Sequence, residues 1–272
     1  MSSDRIRHVV IIGGGTAGWM TATALSRTMG GQISITLVES DEIGTIGVGE
    51  ATIPAIRLFN QLIDLDEDEF IRATQGTFKL GIQFQNWGRL GDSYMYAWNH
   101  NVIAVGLASG CLEPLESTSI HLIQDGIAKL LSHFPNAGFD PVNVEAYNRR
   151  MRFDYERIRD FIIPHYHANK RTVSAFWTRC REMAIPGSLK DKLDLLRATG
   201  GLFRESEELF VVQVLTGQNI TPASYHPLAD KLTGEQLSGF FEDIGRIIDA
   251  TARQLPMHAD FIAQNCAAGV EL

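Results

Sequence analysis

The sequence predicts an α/β protein with a parallel sheet near its N-terminus and an α-helical C-terminal lobe. Two observations predict this fold class. Residues 8–39 contain an apolar run, a glycine cluster, apolar residues at helical spacing and a second apolar run. Beyond residue 140, apolar residues recur three or four positions apart, which is the period of an α-helix. We therefore expect a sheet-bearing domain over 1–135 and a helical lobe over 136–272.

Composition and charge narrow the class of partner. The 272 residues are 44% apolar, enough for one substantial core with a helical lobe. A net charge of −8 argues against nucleic acid or an anionic membrane as the main partner, because both bind basic surfaces. The three cysteines are widely spaced and odd in number, which suits a reducing compartment better than a disulfide framework or a zinc site. With no signal peptide or long apolar run, we expect a cytoplasmic protein that acts on a small molecule.

The first strand, turn and helix carry a dinucleotide-binding pattern. Gly13, Gly15 and Gly18 form GxGxxG between a strand and a helix, and the next strand ends at Glu39. Glycines at these positions allow the turn, the approach of backbone to a pyrophosphate and close helix packing, while an acid after the second strand accepts from a ribose hydroxyl. The alternative is a glycine-rich turn that binds nothing.

A second glycine-rich stretch, IGTIGVGEATIP, runs from Ile43 to Pro54. Gly47 and Gly49 would let its backbone lie flat against a planar ligand, because glycine has no Cβ. The alternative is an ordinary surface loop.

Two further stretches supply charged candidates. Alternation in FKLGIQF predicts a strand with Lys79 on the face opposite Phe78 and Leu80. The alternative, which this segment alone favours, is a solvated lysine. In CLEPLESTSI, Pro114 discourages helix, so Glu113 and Glu116 are predicted to lie on a shaped loop. A lysine held away from water needs a nearby acid, and this loop offers two.

Four blocks in one order, GGGTAGW, GVGEATIP, FKLGIQF and LEPLESTSI, resemble the flavin-dependent tryptophan halogenases. The resemblance covers residues 5–100 and 101 to about 185. It implies a Rossmann-like FAD-binding fold and FAD used as FADH2, which a separate flavin reductase supplies. It also implies that reduced flavin, oxygen and a halide ion, chloride or bromide, generate hypohalous acid, which halogenates an electron-rich aromatic substrate such as an indole.

The resemblance also implies site residues. The lysine that receives the oxidised halogen falls on Lys79, and the glutamate that works with it falls on Glu116. Glu113 is more plausibly structural. Halide would be held by the backbone amides of Thr118 and Ser119, where serine replaces a glycine often found in tryptophan enzymes. The FAD-binding residues would be Gly13, Gly15, Thr16, Ala17, Gly18, Glu39, Gly47, Gly49, Glu50, Ala51 and Ile120, with Ser117 linking the lysine site to the flavin.

Side-chain chemistry explains why a lysine and a glutamate are needed. A lysine can hydrogen-bond hypohalous acid as an ammonium group, or, as a neutral amine, take up the halogen as a chloramine with release of water. A carboxylate beside the aromatic ring can stabilise the cationic intermediate and remove its proton.

The family's long middle section is missing at 100/101. SYMYAWNH runs directly into NVIAVGLASG, and the WxWxIP signature is absent from the chain. We expect residues 101–106 to form a returning strand that joins strands 8–12 and 33–39 in one parallel sheet. The gap leaves two alternatives to a halogenase: a non-catalytic flavin-binding protein and, less favoured, an NAD(P)-dependent oxidoreductase that shares only the first βαβ unit.

The C-terminal lobe begins with a helical pattern that we expect to break near Pro164. Phe176 and Trp177, which follow it, either wall an indole pocket or pack in the core. His165 and His167 lack further ligands at suitable spacing, so no metal site is expected. Beyond residue 185 we expect further helices, including an amphipathic one and a last helix after Pro256.

Thr172 bears on the substrate. Counting back from Phe176 and Trp177 without gaps, it stands where tryptophan-specific enzymes place the glutamate that binds the amino group of free tryptophan. A neutral hydroxyl cannot replace that ion pair, so the sequence favours a neutral indole or another electron-rich aromatic.

Overall fold

A computed structural model of the protein describes residues 5–44, 51–78, 98–99, 101–110, 117–172, 174–201 and 214–268. The chain divides into two compact units. One contains residues 1–67 and 82–163, and the other contains residues 68–81 and 164–272. The predicted domain boundary at 135/136 stays a prediction, because compactness does not define functional domains. Among the described helices, none is both long and apolar enough to cross a bilayer.

The N-terminal elements form the predicted parallel βαβ arrangement. Strand β1 (His8–Ile12), helix α1 (Thr16–Met29) and strand β2 (Ser34–Val38) follow one another, and β1 pairs with β2 in parallel from His8 opposite Ser34 to Ile12 opposite Val38. A parallel pair requires a crossover connection, which α1 provides. The α/β class with a parallel sheet is confirmed.

Strands β3 and β4 run in opposite directions. Strand β3 (Trp98–Asn99) pairs antiparallel with β4 (Val102–Ile103), with Trp98 opposite Ile103 and Asn99 opposite Val102. The prediction that residues 101–106 return as a parallel strand beside β1 is therefore wrong. Pairing with a strand nearby in sequence closes a shorter loop than pairing with β1, so it costs less conformational entropy.

The core of the first unit lies between three helices: α1, α2 (Ile56–Ile63) and α4 (Thr118–Ser132). Their buried side chains are Ala24, Phe59, Ile123 and Ile127, with Ala17 packed at the margin. The opposite face of the β1–β2 pair is open: among the described residues, Val10 is 56% exposed and Ile12 85%. Parallel sheets are normally covered on both faces, so these apolar side chains lie where a larger sheet domain would cover them.

Helix α5 (Pro141–His167) continues through Pro164. The prediction of a break at that proline is wrong, although a proline inside a helix typically costs about 3 kcal/mol. Pro164 and its neighbours Ile163, His165 and Tyr166 are all buried. The free energy gained by burying these side chains offsets the cost of the backbone hydrogen bond that the proline ring removes.

The second unit is helical in its described part. Its elements are most of α3 (Glu67–Thr74), α6 (Ala175–Glu182), α7 (Gly187–Thr199), α8 (Gly234–Gln254) and α9 (His258–Phe261), which continues as a π-helical turn over Ile262–Cys266. Helix α8 begins with a capping box between Thr233 and Gln236. It is the predicted amphipathic helix, and α9 is the predicted last helix after Pro256. The apolar side chains of α8, such as Phe240 and Phe241, are exposed.

A charged triad joins α4 to α5. Lys129 Nζ lies 2.6 Å from Asp154 Oδ2 and also pairs with Asp125. All three side chains are mostly removed from solvent. Burial raises the pKa of the Asp154 carboxyl. The hydrogen bond from Lys129 opposes this rise, and the negative charge of Asp125 adds to it.

This raised pKa predicts how the Asp154→Asn variant behaves. A carboxyl group whose pKa is higher in the folded chain contributes stability below its unfolded pKa of about 4, and that contribution is lost as the pH rises through the folded value. The difference in melting temperature, Asp154→Asn minus parent, should therefore be larger at pH 7 than at pH 4. Each kcal/mol of change in the free energy of unfolding corresponds to about 2–4 °C. Calorimetry at both pH values measures the difference.

Asp194→Asn is the matched control. Lys190 lowers the pKa of the exposed Asp194 carboxyl through a hydrogen bond, so any stability it contributes is present above the unfolded pKa and is lost as the pH falls. Its effect should be small and opposite in sign. A pH profile for Asp154→Asn that is parallel to the parent's would contradict the assignment.

Candidate active site

The glycine turn between β1 and α1 is built by close backbone contacts. The amide of Gly13 donates to the carbonyl oxygen of Val38 at 2.8 Å, which ties the turn to the end of β2. Gly13 adopts φ +113°, a conformation that side chains disfavour. A Cβ at residue 18 would lie 1.9 Å from the carbonyl oxygen of Gly13. The third glycine of the pattern is therefore required for α1 to pack against the turn.

The other part of the turn faces open space. A Cβ at Gly13 or at Gly15 would meet no described atom within 4 Å. Gly15 and Thr16 are exposed where α1 begins, and no described side chain caps this end of the helix. First-turn amides have no acceptor within their own helix, so this end can receive an anionic group.

Glu39 lies beside the turn, as the pattern predicts. A Cβ at Gly14 would be 1.9 Å from Glu39 Oε2, so the carboxylate packs directly on the backbone of the turn. The indole Nε1 of Trp19 donates to the same oxygen at 3.3 Å. Sequence analysis did not identify Trp19 as a site residue, and its position one residue after the last glycine was the available signal.

The loop before the acidic stretch packs against α1. Gly106 has φ +68°, and a Cβ there would lie 2.7 Å from the Cβ of Ala17 and 3.1 Å from Ile123 Cγ1. The turn at residues 106–110 thus contacts both α1 and α4. This contact brings the glycine fingerprint and the N-terminal end of α4 into one region of the first unit.

Helix α4 starts where halide binding is predicted. Ser117 is buried with φ +62°, an uncommon conformation for a residue with a side chain, and Thr118 and Ser119 are the first two helical residues. Amides at these positions point out of the helix along its axis, toward the end that favours anions. Thr118 is buried, whereas Ser119 and Ile120 are half-buried.

Several predicted residues lie outside the described residues: Gly47, Gly49, Glu50, Lys79, Glu113 and Glu116. Ala51 is described and half-buried. The roles given to all of these residues stay predictions.

The segment that leads to Lys79 is held by the C-terminal end of the chain. Thr77 Oγ1 lies 2.7 Å from His258 Nε2, and the ring of Phe78 meets that of Phe261 edge to face with centroids 5.4 Å apart. Arg72 also donates to the carbonyl oxygen of Asn265 at 2.7 Å. No sequence pattern indicated these contacts, because they join positions about 180 residues apart.

Phe176 and Trp177 lie on α6 in the second unit. Trp177 is buried, and the guanidinium of Arg171 lies over its ring at 4.8 Å. Arg181 Nη1 donates to the carbonyl oxygen of Arg171 at 2.7 Å, which holds that residue in place. The core-packing alternative accounts for these contacts of Trp177. The half-buried Phe176, edge to face with Trp177 at 5.3 Å, stays a candidate for the substrate wall.

The sequence profile of the Tryptophan halogenase family matches residues 8–97 and 95–234. The chain belongs to this family. The two matched stretches overlap at residues 95–97.

Curated relatives match over limited stretches. The tryptophan 6-halogenase SttH of Streptomyces toxytricini is 52% identical over 96 residues, which is 35% of this chain and 18% of that protein. The tryptophan 7-halogenase RebH of Lentzea aerocolonigenes is 42% identical over 91 residues, 33% of this chain and 17% of that protein. The chain thus aligns with less than a fifth of the length of these relatives.

Solved structures of flavin-dependent halogenases share the fold. Xcc4156 from Xanthomonas campestris superposes with a TM-score of 0.86 at 26% identity, covering 98% of this chain and 100% of that chain. BrvH from Brevundimonas sp. BAL3 superposes with a TM-score of 0.81 at 22% identity, covering 95% of this chain and 99% of that chain.

Two alanine variants separate the structural and ligand-binding roles of the glycine turn. Gly18→Ala forces a side chain onto the Gly13 carbonyl, an overpacking of about 1–3 kcal/mol, so its melting temperature should fall. Gly15→Ala adds a methyl group to open space at φ −76°, so its melting temperature should stay within about 1–2 °C of the parent. Because the backbone at Gly15 is predicted to approach the pyrophosphate, FAD affinity should nevertheless fall by about tenfold or more.

Thermal melts and calorimetric titration with FAD measure both effects. Gly187→Ala, at the start of α7, is the control, since a Cβ there also meets no described atom. A Gly15→Ala variant with parental FAD affinity would support a turn that binds no ligand.

Proposed function

We propose that this protein is an FAD-dependent halogenase of the monooxygenase type that acts on an indole or a related electron-rich aromatic. The observation that carries the proposal is the packing of the 106–110 turn between Ala17 and Ile123. This packing joins the first turn of α1, where family resemblance implies flavin, to α4, at whose first residues the resemblance implies halide. Family membership and the order of the four sequence blocks support the same conclusion.

The described residues fit an FAD dinucleotide. The space beside Gly13 and Gly15 would accept a pyrophosphate against backbone, and Glu39 lies next to the turn, where it would accept from a ribose hydroxyl. Thr16 and Ala17 would contribute first-turn amides of α1. When bound in its reduced form, the flavin would supply the electrons with which oxygen and halide are converted to hypohalous acid.

The protein side chains would direct the halogen after it forms. The amides of Thr118 and Ser119 would hold chloride or bromide at the positive end of α4. Lys79 would bind hypohalous acid or carry the halogen, and Glu116 would stabilise the cationic ring and accept its proton. Ser117 would link the lysine site to the flavin.

The proposed partners follow from this chemistry. A separate flavin reductase would deliver FADH2, since the chain shows one dinucleotide fingerprint and no second catalytic motif. The substrate would be a small aromatic, and the protein would work in the cytoplasm without nucleic acid or membrane.

A non-catalytic flavin-binding protein is the second candidate. Two observations favour it over an active enzyme: the chain lacks WxWxIP, and apolar residues of β1, Val10 and Ile12, are exposed. Such a protein would bind FAD through the same turn but release no halogenated product.

One experiment distinguishes these candidates. The 272-residue chain would be incubated with FAD, NADH, a flavin reductase, bromide and a panel of indoles, and products would be analysed by mass spectrometry. Brominated product that depends on the chain supports the halogenase. Flavin binding without product supports the non-catalytic alternative, and a folded chain with neither contradicts both.

Substitution of Lys79 or Glu116 should stop halogenation and leave flavin binding intact. Lys79→Ala removes the group that carries the halogen, and Glu116→Gln keeps the shape of the side chain but removes its basicity. The loss should be about 10²–10⁴-fold, as is typical when a general acid or base is removed. Brominated indole and FAD affinity would be measured for each variant.

Lys190→Ala is the control, because that lysine is exposed and pairs with Asp194 on α7. A Lys79→Ala variant that brominates at the parent rate would overturn the assignment.

Neutral indoles should be halogenated in preference to free tryptophan. Thr172 offers no charge to an ammonium group, and a buried ammonium without a partner loses hydration that nothing replaces. Asp160 is an acid that could take the place of the missing glutamate, but its carboxylate is buried and pairs with Arg159 at 2.6 Å. Equal concentrations of indole and tryptophan would compete in one reaction, scored by product ratio.

Thr172→Glu should shift that ratio toward tryptophan by about tenfold for each 1.4 kcal/mol of restored ion pairing. Ser174→Glu, which adds the same charge two positions away at another exposed residue, is the control. A clear excess of halotryptophan from the parent chain would mean that the position assigned to Thr172 is wrong.

A further inference from the structure

Tyr155 on α5 reaches the turn that precedes the acidic stretch. Its hydroxyl oxygen lies 2.8 Å from Ser109 Oγ and 3.2 Å from the carbonyl oxygen of Gly110. Tyr155 is 5% exposed and Ser109 is 2% exposed, so both hydroxyl groups are removed from water. The hydrogen bond joins positions 46 residues apart.

Two hydroxyl protons serve three contacts at this turn. Ser109 Oγ can donate to the carbonyl oxygen of Gly106 at 2.8 Å or to the hydroxyl of Tyr155, and Tyr155 can donate to Ser109 Oγ or to the carbonyl oxygen of Gly110. In every arrangement the two hydroxyl groups and the backbone of the turn form one buried network. Hydrogen bonds in such a network polarise one another, and removing one hydroxyl group leaves its partner unsatisfied.

The ring of Tyr155 also packs on the turn. A Cβ at Gly110 would lie 3.2 Å from the ring carbon Cε1, and Gly110 has φ +148°, so the backbone passes directly over the ring. At the other end of the turn, Gly106 packs on Ala17 of α1 and Ile123 of α4. The turn therefore contacts three helices, and the hydroxyl group of Tyr155 reaches it from α5.

We propose that Tyr155 is a positioning residue, which fixes the 106–110 turn between α1 and α4. The proposal rests on the proposed function, because the turn matters for catalysis only if α1 holds flavin and the chain after Gly110 supplies Glu116. Tyr155 touches neither flavin nor substrate. Its hydroxyl holds the backbone from which the catalytic stretch departs.

The Tyr155→Phe variant tests the proposal by removing only the hydroxyl group. The direct readout is hydrogen exchange of the Ser109 amide, which donates to the carbonyl oxygen of Gly106 at 2.9 Å. Loss of one buried hydrogen bond should speed its exchange by about fivefold. Exchange of the His133 amide, bonded to Lys129 at the other end of α4, should not change.

Catalysis provides a second readout. In Tyr155→Phe, kcat for indole bromination should fall by about tenfold, while the KM for reduced flavin stays at the parent value because the fingerprint turn is untouched. Ser109→Ala removes the same contact together with the bond to the Gly106 carbonyl, so its effect should be at least as large, and the double variant should be no worse than Ser109→Ala alone. A merely structural role would lower the melting temperature without this separation of kcat from KM.

Tyr147→Phe is the matched control. Tyr147 is a fully buried tyrosine two turns earlier on α5, and burial raises the pKa of its hydroxyl above the usual range. Its variant should leave Ser109 exchange and kcat unchanged. Parental exchange of Ser109 in Tyr155→Phe, or equal acceleration in Tyr147→Phe, overturns the proposal. If the parent chain makes no product, the proposed function fails, and Ser109 exchange alone decides whether Tyr155 holds the turn.

Discussion

The architecture of the first unit depends on the contact between Gly18 and the carbonyl oxygen of Gly13. With a side chain at residue 18, the Cβ would stand 1.9 Å from that oxygen, and α1 would have to move away from β1. The position of α1 determines where Ala24 meets Phe59, Ile123 and Ile127, and so determines the core. It also determines which backbone amides face the open space beside Gly15. The absence of a side chain at residue 18 therefore affects both the packing of the unit and the exposure of the amides that would bind an anion.

A second close approach connects α1 to the 106–110 turn. Gly106 contacts Ala17, a residue of the first turn of α1, so the same helix that would bind the pyrophosphate also supports the turn. Tyr155 contacts the other side of that turn through Ser109. The proposed function requires a fixed separation between the groups that bind flavin and halide, and the contacts of Gly106 and Tyr155 would hold the turn that lies between them.

Local patterns in the sequence predicted the elements that depend on local interactions. The turn, α1 and the parallel pairing of β1 with β2 follow from glycine spacing and apolar periodicity, and α8 follows from its amphipathic pattern. The break at Pro164 was predicted wrongly because burial of Ile163 and Tyr166 outweighs the local cost of proline. The returning strand at 101–106 was wrong because Val102 and Ile103 pair antiparallel with Trp98 and Asn99 instead. Contacts such as Tyr155 with Ser109 and His258 with Thr77 join distant positions, and no single-sequence pattern encodes them.

We propose that the βα turn of this chain is a working flavin site. The most direct measurement is a calorimetric titration of the unmodified 272-residue chain with FAD, accompanied by hydrogen exchange of the amides at residues 13–18. We predict one FAD bound per chain and slower exchange at Gly15, Thr16 and Ala17 when FAD is present. A chain that is folded by circular dichroism but takes up no flavin, with exchange at these amides unchanged, would contradict it.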